Sequence, residues 1–185
     1  MRVTQAITLW PEWAFAIGCL DKRHENRSWE PPSSIVGKRI AIHAGKNIGG
    51  RPGEPAMRNG AYALARAMKA NGWCGKFGRG PGGEKSKRLF CSFDKREGDI
   101  DSGAHRTVEI KTSAVVATAV VGDAVRVDAD EGWKAGGSFA WRLSQVRWLV
   151  QPIESKGAQG IWRMAPDLVE AIDKAAFVAM PEYFE

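Results

Sequence analysis

Cysteine is scarce in this chain. Its three residues, Cys19, Cys74 and Cys91, stand far apart, are odd in number and form no Cys-x-x-Cys pair. A disulfide framework and a zinc site are therefore not expected, even with His105 counted as a further ligand. Long apolar runs are also missing: no stretch of 18 apolar residues occurs, which argues against a membrane-spanning helix. The first residues, Met1-Arg-Val-Thr-Gln, are polar where a secretory signal needs an apolar segment, so a cytoplasmic setting is expected. The glycine-rich stretch after Gly75 lacks the Gly-x-x-x-x-Gly-Lys-Ser/Thr pattern of a phosphate-binding loop. No cofactor or metal is expected from any motif.

Positive charge, by contrast, is plentiful and unevenly spread. The net charge is +6. Residues 1–50 hold seven Lys/Arg against four Asp/Glu, residues 51–111 thirteen against seven, and residues 112–185 seven against ten. A basic portion beside an acidic one suits a polyanion partner, although a solvated cationic face is the plainer reading of such asymmetry. A length of 185 residues is enough for one domain with a core that needs no disulfide help.

Val3 to Trp10 reads as a strand, and Pro11 suits the first turn of a helix, where its missing N–H costs nothing. Trp13, Ala14, Ile17 and Leu20 recur at helical spacing and predict one buried stripe. His24 to Trp29 predicts a second strand with Glu25, Arg27 and Trp29 on one face, ended by Pro31-Pro32. Gly37 to Gly45 is a third, between turn glycines. A helix is predicted from about Pro55 to Asn71, with Ala61, Leu64, Ala65 and Met68 on one side and Gly72 as its stop.

Between Gly75 and Arg88 lie five glycines and five Lys/Arg, so a mobile basic loop is expected over about 74–106. Phe77, Leu89, Phe90 and Phe93 are the residues there that suit a short hairpin. Further strands are predicted at Ala114–Val127, Ser138–Leu143, Val146–Val150 and Gly160–Met164, then a C-terminal helix from Pro166 to Ala179 with Leu168, Ile172 and Ala175 inward. Short strands at irregular intervals with few helices favour a small barrel over a doubly wound sheet.

The opening block carries a family likeness. Lys22, followed by Glu25-Asn-Arg-Ser-Trp29, together with Ile42-His-Ala-Gly-Lys46, resembles the ASCH domain family of the PUA-like superfamily. Gly137-Ser-Phe-Ala-Trp-Arg-Leu, Pro152-Ile and Gly157-x-x-Gly-Ile-Trp162 resemble its closing strands. The likeness covers residues 1–46 and 114–164, leaving about 47–112 as an insertion within a single domain spanning 1–185. It implies an α+β fold, a PUA-like small mixed β-barrel of five to six strands with flanking helices and a basic insertion. It also implies a cleft beside the first helix that takes RNA, single-stranded DNA or a modified nucleoside. One branch of the family removes the acetyl group from N4-acetylcytidine, and another member is described as a ribonuclease.

Lys22 falls on that branch's catalytic lysine, whereas Glu25 replaces its threonine. Lys22 has two readings: a nucleophile or base when burial lowers its pKa, or a strand-edge cation on phosphate. Glu25 is either a general base or an ion-pair partner of Arg27 or Lys22. Trp10 is the candidate for stacking on a base, while Trp13 suits the core. Arg27 and Lys46 are candidates for phosphate, with a salt bridge to Glu25 the alternative for Arg27. His43 is expected at the same site, or as a hydrogen-bonded strand residue. Ser138 either offers a hydroxyl to the cleft or merely starts a strand.

Overall fold

Apolar alternation in the first ten residues becomes the middle of a sheet. The computed structural model describes residues 2–47, 56–79, 89–94, 106–127 and 138–179. In chain order the elements are β1 (Gln5–Leu9), α1 (Pro11–Cys19), β2 (His24–Arg27), β3 (Arg39–Ala44), α2 (Ala56–Ala70), β4 (Cys74–Arg79), β5 (Leu89–Asp94), β6 (Arg106–Ile110), β7 (Ala114–Arg126), β8 (Phe139–Glu154), β9 (Ile161–Arg163), α3 (Pro166–Lys174) and β10 (Phe177–Ala179). The fold is mixed α+β. Its main sheet runs β10-β8-β7-β3-β1-β9, with β2 as an additional partner of β8. That sheet is strongly curled into a half-barrel.

The curl has a local cause. Register shifts interrupt the β7–β8 ladder at three places and the β3–β7 ladder at one, and each bulge bends its strand and adds twist. Gln145, at φ 48°, interrupts the extended backbone within β8. On one side of it Phe139–Arg142 pair with β2, and on the other Arg147–Leu149 pair with β10. The two strands expected at Ser138–Leu143 and Val146–Val150 are therefore one bent strand of 16 residues. The C-terminal helix ends at Lys174 rather than Ala179, because Phe177–Ala179 pair with the edge of β8. With these additions the main sheet has seven strands, not five to six.

The expected loop over 74–106 also differs. Its described residues form β4 and β5 which, with β6, make a separate three-stranded antiparallel sheet. The hairpin residues explain why: Phe93 and Cys91 are buried and Phe77 packs beside them, against Leu64 and Met68 of α2 and against Trp73. Alternate apolar positions thus supply a small core of their own. Residues 80–88 and 95–105, which carry most of the glycine and charge, lie outside the described residues.

This second core changes the environment of α1. Ala14 and Ile17 face the core of the half-barrel, while Phe15, Ala16, Cys19 and Leu20 face the insertion. Every residue of the helix except Trp13 is buried. The stripe expected from spacing is only half of its packing surface; a helix covered on both sides needs no polar face. Burial pushes the thiol of Cys91 up to about 12 and raises that of Cys19, so both behave as small apolar side chains. No helix among the described residues is long and apolar enough to cross a membrane.

α1 sits close to the sheet because Gly18 has no side chain: a Cβ there would fall 1.9 Å from Cε3 of Trp148. Trp148 packs against both cores, so it has little room to retreat. Gly18→Ala gains about 1 kcal/mol of helix propensity but overpacks this contact, at a cost of roughly 1–3 kcal/mol. The contact is far inside van der Waals distance, so overpacking wins. Chemical denaturation is expected to show a net loss, and an unchanged midpoint would refute this packing account.

Candidate functional site

The half-barrel is open between β2 on one side and β1 with β9 on the other, and the principal cleft lies along that seam. Its volume is about 830 Å³. β1 and the start of α1 contribute Thr8, Trp10 and Trp13; β2 contributes Glu25, Asn26 and Arg27. The end of β3 brings His43, Lys46 and Asn47, and the segment between β8 and β9 closes the remaining side with residues 155–160.

Alternation along β2 decides what reaches the floor. Glu25 is buried, and its Oε1 lies 2.9 Å from Nε of Arg27. Arg27 then spans the seam, its Nη2 donating to the Thr8 carbonyl at 3.2 Å. Burial raises the pKa of Glu25, against the opposing pull of Lys22 and Arg27. Of the two readings of Arg27, the salt bridge to Glu25 is present, and it is made inside the cleft.

Lys22 does not line the cleft. It is 1% exposed, with its ammonium 5.8 Å from the centre of the Trp13 ring and donating to the His24 carbonyl. Desolvation lowers its pKa to about 8, with Glu25 opposing and Arg27 adding to the shift. It therefore sits beneath the cleft as a buried amine coupled to Glu25, rather than as a strand-edge cation.

His43 is fully engaged. Trp162 Nε1 donates to Thr8 Oγ1 at 3.0 Å, and Thr8 Oγ1 lies 3.2 Å from His43 Nδ1. An indole N–H only donates, so the threonine hydroxyl is left to donate to Nδ1. His43 Nε2 lies 3.1 Å from the Ser155 carbonyl, which only accepts, so that nitrogen carries the proton. Burial lowers the imidazole pKa, in keeping with this neutral form. His43 thus fixes the wall of the cleft and tethers the 155–160 segment. Gly157 lies directly on its ring, where a Cβ would come within 2.3 Å of Cε1.

Trp10 is the most exposed aromatic of the cleft, at 48%. It precedes Pro11 in extended conformation, which turns its indole away from the core. Trp13 is half-buried against the insertion core. Lys46 is exposed on the rim. Ser138 lies elsewhere: it is exposed just before β8, and its carbonyl accepts from Val127 N–H at 3.0 Å. It starts a strand and does not reach the cleft. Trp29 packs edge-on to Trp141 outside the lining, with ring centres 4.6 Å apart.

The polar lining residues Asn47, Ser113, Ser155 and Lys156 were not among the site residues expected from sequence. Asn47 and Ser113 stand near predicted strand ends, and Ser155 and Lys156 lie between two predicted strands. Among the described residues no group of three or more His, Cys, Asp or Glu side chains is placed to hold a metal ion.

No protein-family model and no curated protein matches this chain. The functional reading therefore rests on the cleft itself.

Two measurements probe its electrostatics. Arg27→Ala strands a buried carboxylate, an effect of roughly 2–4 kcal/mol. Because Glu25 has a raised pKa, its ionisation in the folded state opposes stability as pH rises through that value. The cost of Arg27→Ala is thus expected to be larger above the pH at which Glu25 ionises than below it; equal costs across a pH series would contradict the pairing. For Lys22 the sign is reversed. The unfolded chain binds its proton more tightly, so stability rises from about pH 8 towards 10.5. Lys22→Met should flatten that rise in denaturation curves.

Proposed function

We propose that this chain is a PUA-like domain of the ASCH type whose cleft holds a nucleobase, carried by single-stranded RNA or DNA or by a modified nucleotide in the cytoplasm. One observation carries the reading: an exposed indole, Trp10, stands in the same cleft as the buried Glu25–Arg27 pair. An aromatic face offers stacking worth roughly 1–3 kcal/mol per base, whatever the base. A carboxylate and a guanidinium at the floor offer an acceptor and donors to a base edge. The volume of about 830 Å³ suits a nucleotide-sized ligand. Lys46 and the basic residues of 51–111 add attraction for phosphate that does not depend on sequence.

Hydrolysis of an acylated base or of an RNA strand is the second reading. It is favoured by the buried amine of Lys22, with a pKa of about 8, coupled to Glu25. A near-neutral pKa makes the free amine available as nucleophile or base. Lys22 is buried and absent from the cleft lining, so this reading needs a rearrangement before the amine meets a substrate. Incubation with N4-acetylcytidine and with labelled RNA tests it: turnover abolished by Lys22→Ala supports this reading, and no turnover, or turnover indifferent to that change, removes it.

Binding has its own test. Affinity for short single strands is expected to fall steeply between about 50 and 200 mM salt, and Trp10→Ala should weaken it by roughly 5- to 150-fold, the equivalent of one stacked base. Affinity insensitive to both would overturn the proposal.

A further inference from the structure

Three strand ends meet on one wall of the cleft. Gly45 and Lys46 follow β3, Ser113 precedes β7, and Ser155 and Lys156 follow β8. Backbone bonds lock them side by side: Ser113 N–H donates to the Gly45 carbonyl at 3.1 Å, and Ser155 N–H to the Ser113 carbonyl at 2.9 Å. Ser113 holds this position at φ 52°, a left-handed conformation that non-glycine residues adopt at a cost. The wall therefore stands in a fixed geometry that its sequence does not make easy.

Its side chains are of one chemical kind. Lys46 and Lys156 are exposed and form no ion pair among the described residues. The hydroxyl oxygen of Ser155 is buried in this wall and makes no hydrogen bond among the described residues. Asn47 and Ser113 add neutral polar groups to the lining. No carboxylate from these three strand ends enters the lining; the acidic member of the cleft, Glu25, is on β2 and is paired with Arg27. Two ammonium groups with hydroxyl donors, free of a competing carboxylate among the described residues, match a phosphate group.

We propose that this wall, Lys46, Ser113, Ser155 and Lys156, is a phosphate-binding pole, so that the cleft takes a phosphorylated nucleotide unit in one direction. The base lies on Trp10 over Glu25 and Arg27, and its phosphate lies on the Lys46–Lys156 wall. The inference rests on the nucleobase reading above and goes further, because it separates nucleotides from nucleosides. The phosphate belongs either to a mononucleotide or to a polynucleotide backbone; both present the same charged oxygens to the wall.

Calorimetric titration of the full chain with the four common nucleosides, their 5′-monophosphates, inorganic phosphate and a short single-stranded oligonucleotide tests it. At low salt a monophosphate is expected to bind about tenfold or more tightly than its nucleoside, as charge-assisted contacts require. Lys156→Ala and Ser155→Ala should bring that ratio close to one, whereas Lys38→Ala, an exposed lysine away from the cleft, should leave it intact. Equal affinity for nucleoside and nucleotide, or a ratio that survives Lys156→Ala, overturns the pole and leaves the base reading standing. Phosphate binding that is lost in Lys156→Ala, without any preference for a base-bearing ligand, upholds the pole and removes the base reading. Silence with every probe removes both. An oligonucleotide that binds more tightly than the mononucleotide supports the pole and identifies a polymer as the source of the phosphate.

Discussion

One guanidinium crosses the seam that the sheet leaves open. The half-barrel ends in β2 on one side and β1 with β9 on the other, and Arg27 joins them by pairing with Glu25 and bonding to the Thr8 carbonyl. A strand pair at that seam would have filled it with backbone hydrogen bonds and left no cleft. A side chain holds the two edges at a distance and keeps polar groups available between them. The same arrangement explains the pKa shifts beneath it. Glu25 and Lys22 are both driven towards neutrality by burial, and each is held back by the other.

A second constraint sits on the opposite wall. Trp162, Thr8, His43 and the Ser155 carbonyl form a relay of hydrogen bonds in which every donor has one acceptor. It ties β9, β1 and β3 to the segment after β8 without using any of the exposed cleft groups. Shape and binding chemistry are thus divided between different residues: the relay positions, and the Trp10 indole, Lys46 and Lys156 remain exposed to meet a ligand. Gly157 is part of this division, since only a residue without Cβ lies flat on the imidazole.

Local pattern carried much of the fold and part of the site. β1, β3 and β7 follow from alternation or continuous apolar runs, and α1 starts where Pro11 predicts. Trp10, Glu25, Arg27, His43 and Lys46 come together in the cleft as their blocks suggested. What was hidden depends on long-range pairing. β8 reads as two strands because Ser144-Gln145 looks like an interruption, yet a residue at positive φ lets the strand continue round a bend. Lys22 has two readings in the sequence, a buried amine or a strand-edge cation, and only packing beneath Trp13 decides for burial. Ser113, Ser155 and Lys156 are distant in sequence or unremarkable in kind, and the β7–β8 register alone makes them neighbours. Over 74–106 the hairpin suggested by Phe77 and Phe93 is present, whereas the burial of Cys91 and the packing of these residues on α2 depend on contacts distant in sequence.

That core leaves a record in a helix outside the insertion. Phe15, Ala16, Cys19 and Leu20 are buried in one cluster with residues of α2 and the small sheet. A trimmed chain without residues 47–112 would expose these four side chains as an apolar face next to the cleft. The described part of residues 47–112 is therefore packed into the fold through α1 rather than separable from it. Removing the segment would have to be matched by polar substitutions on that side of α1 to avoid an exposed apolar patch.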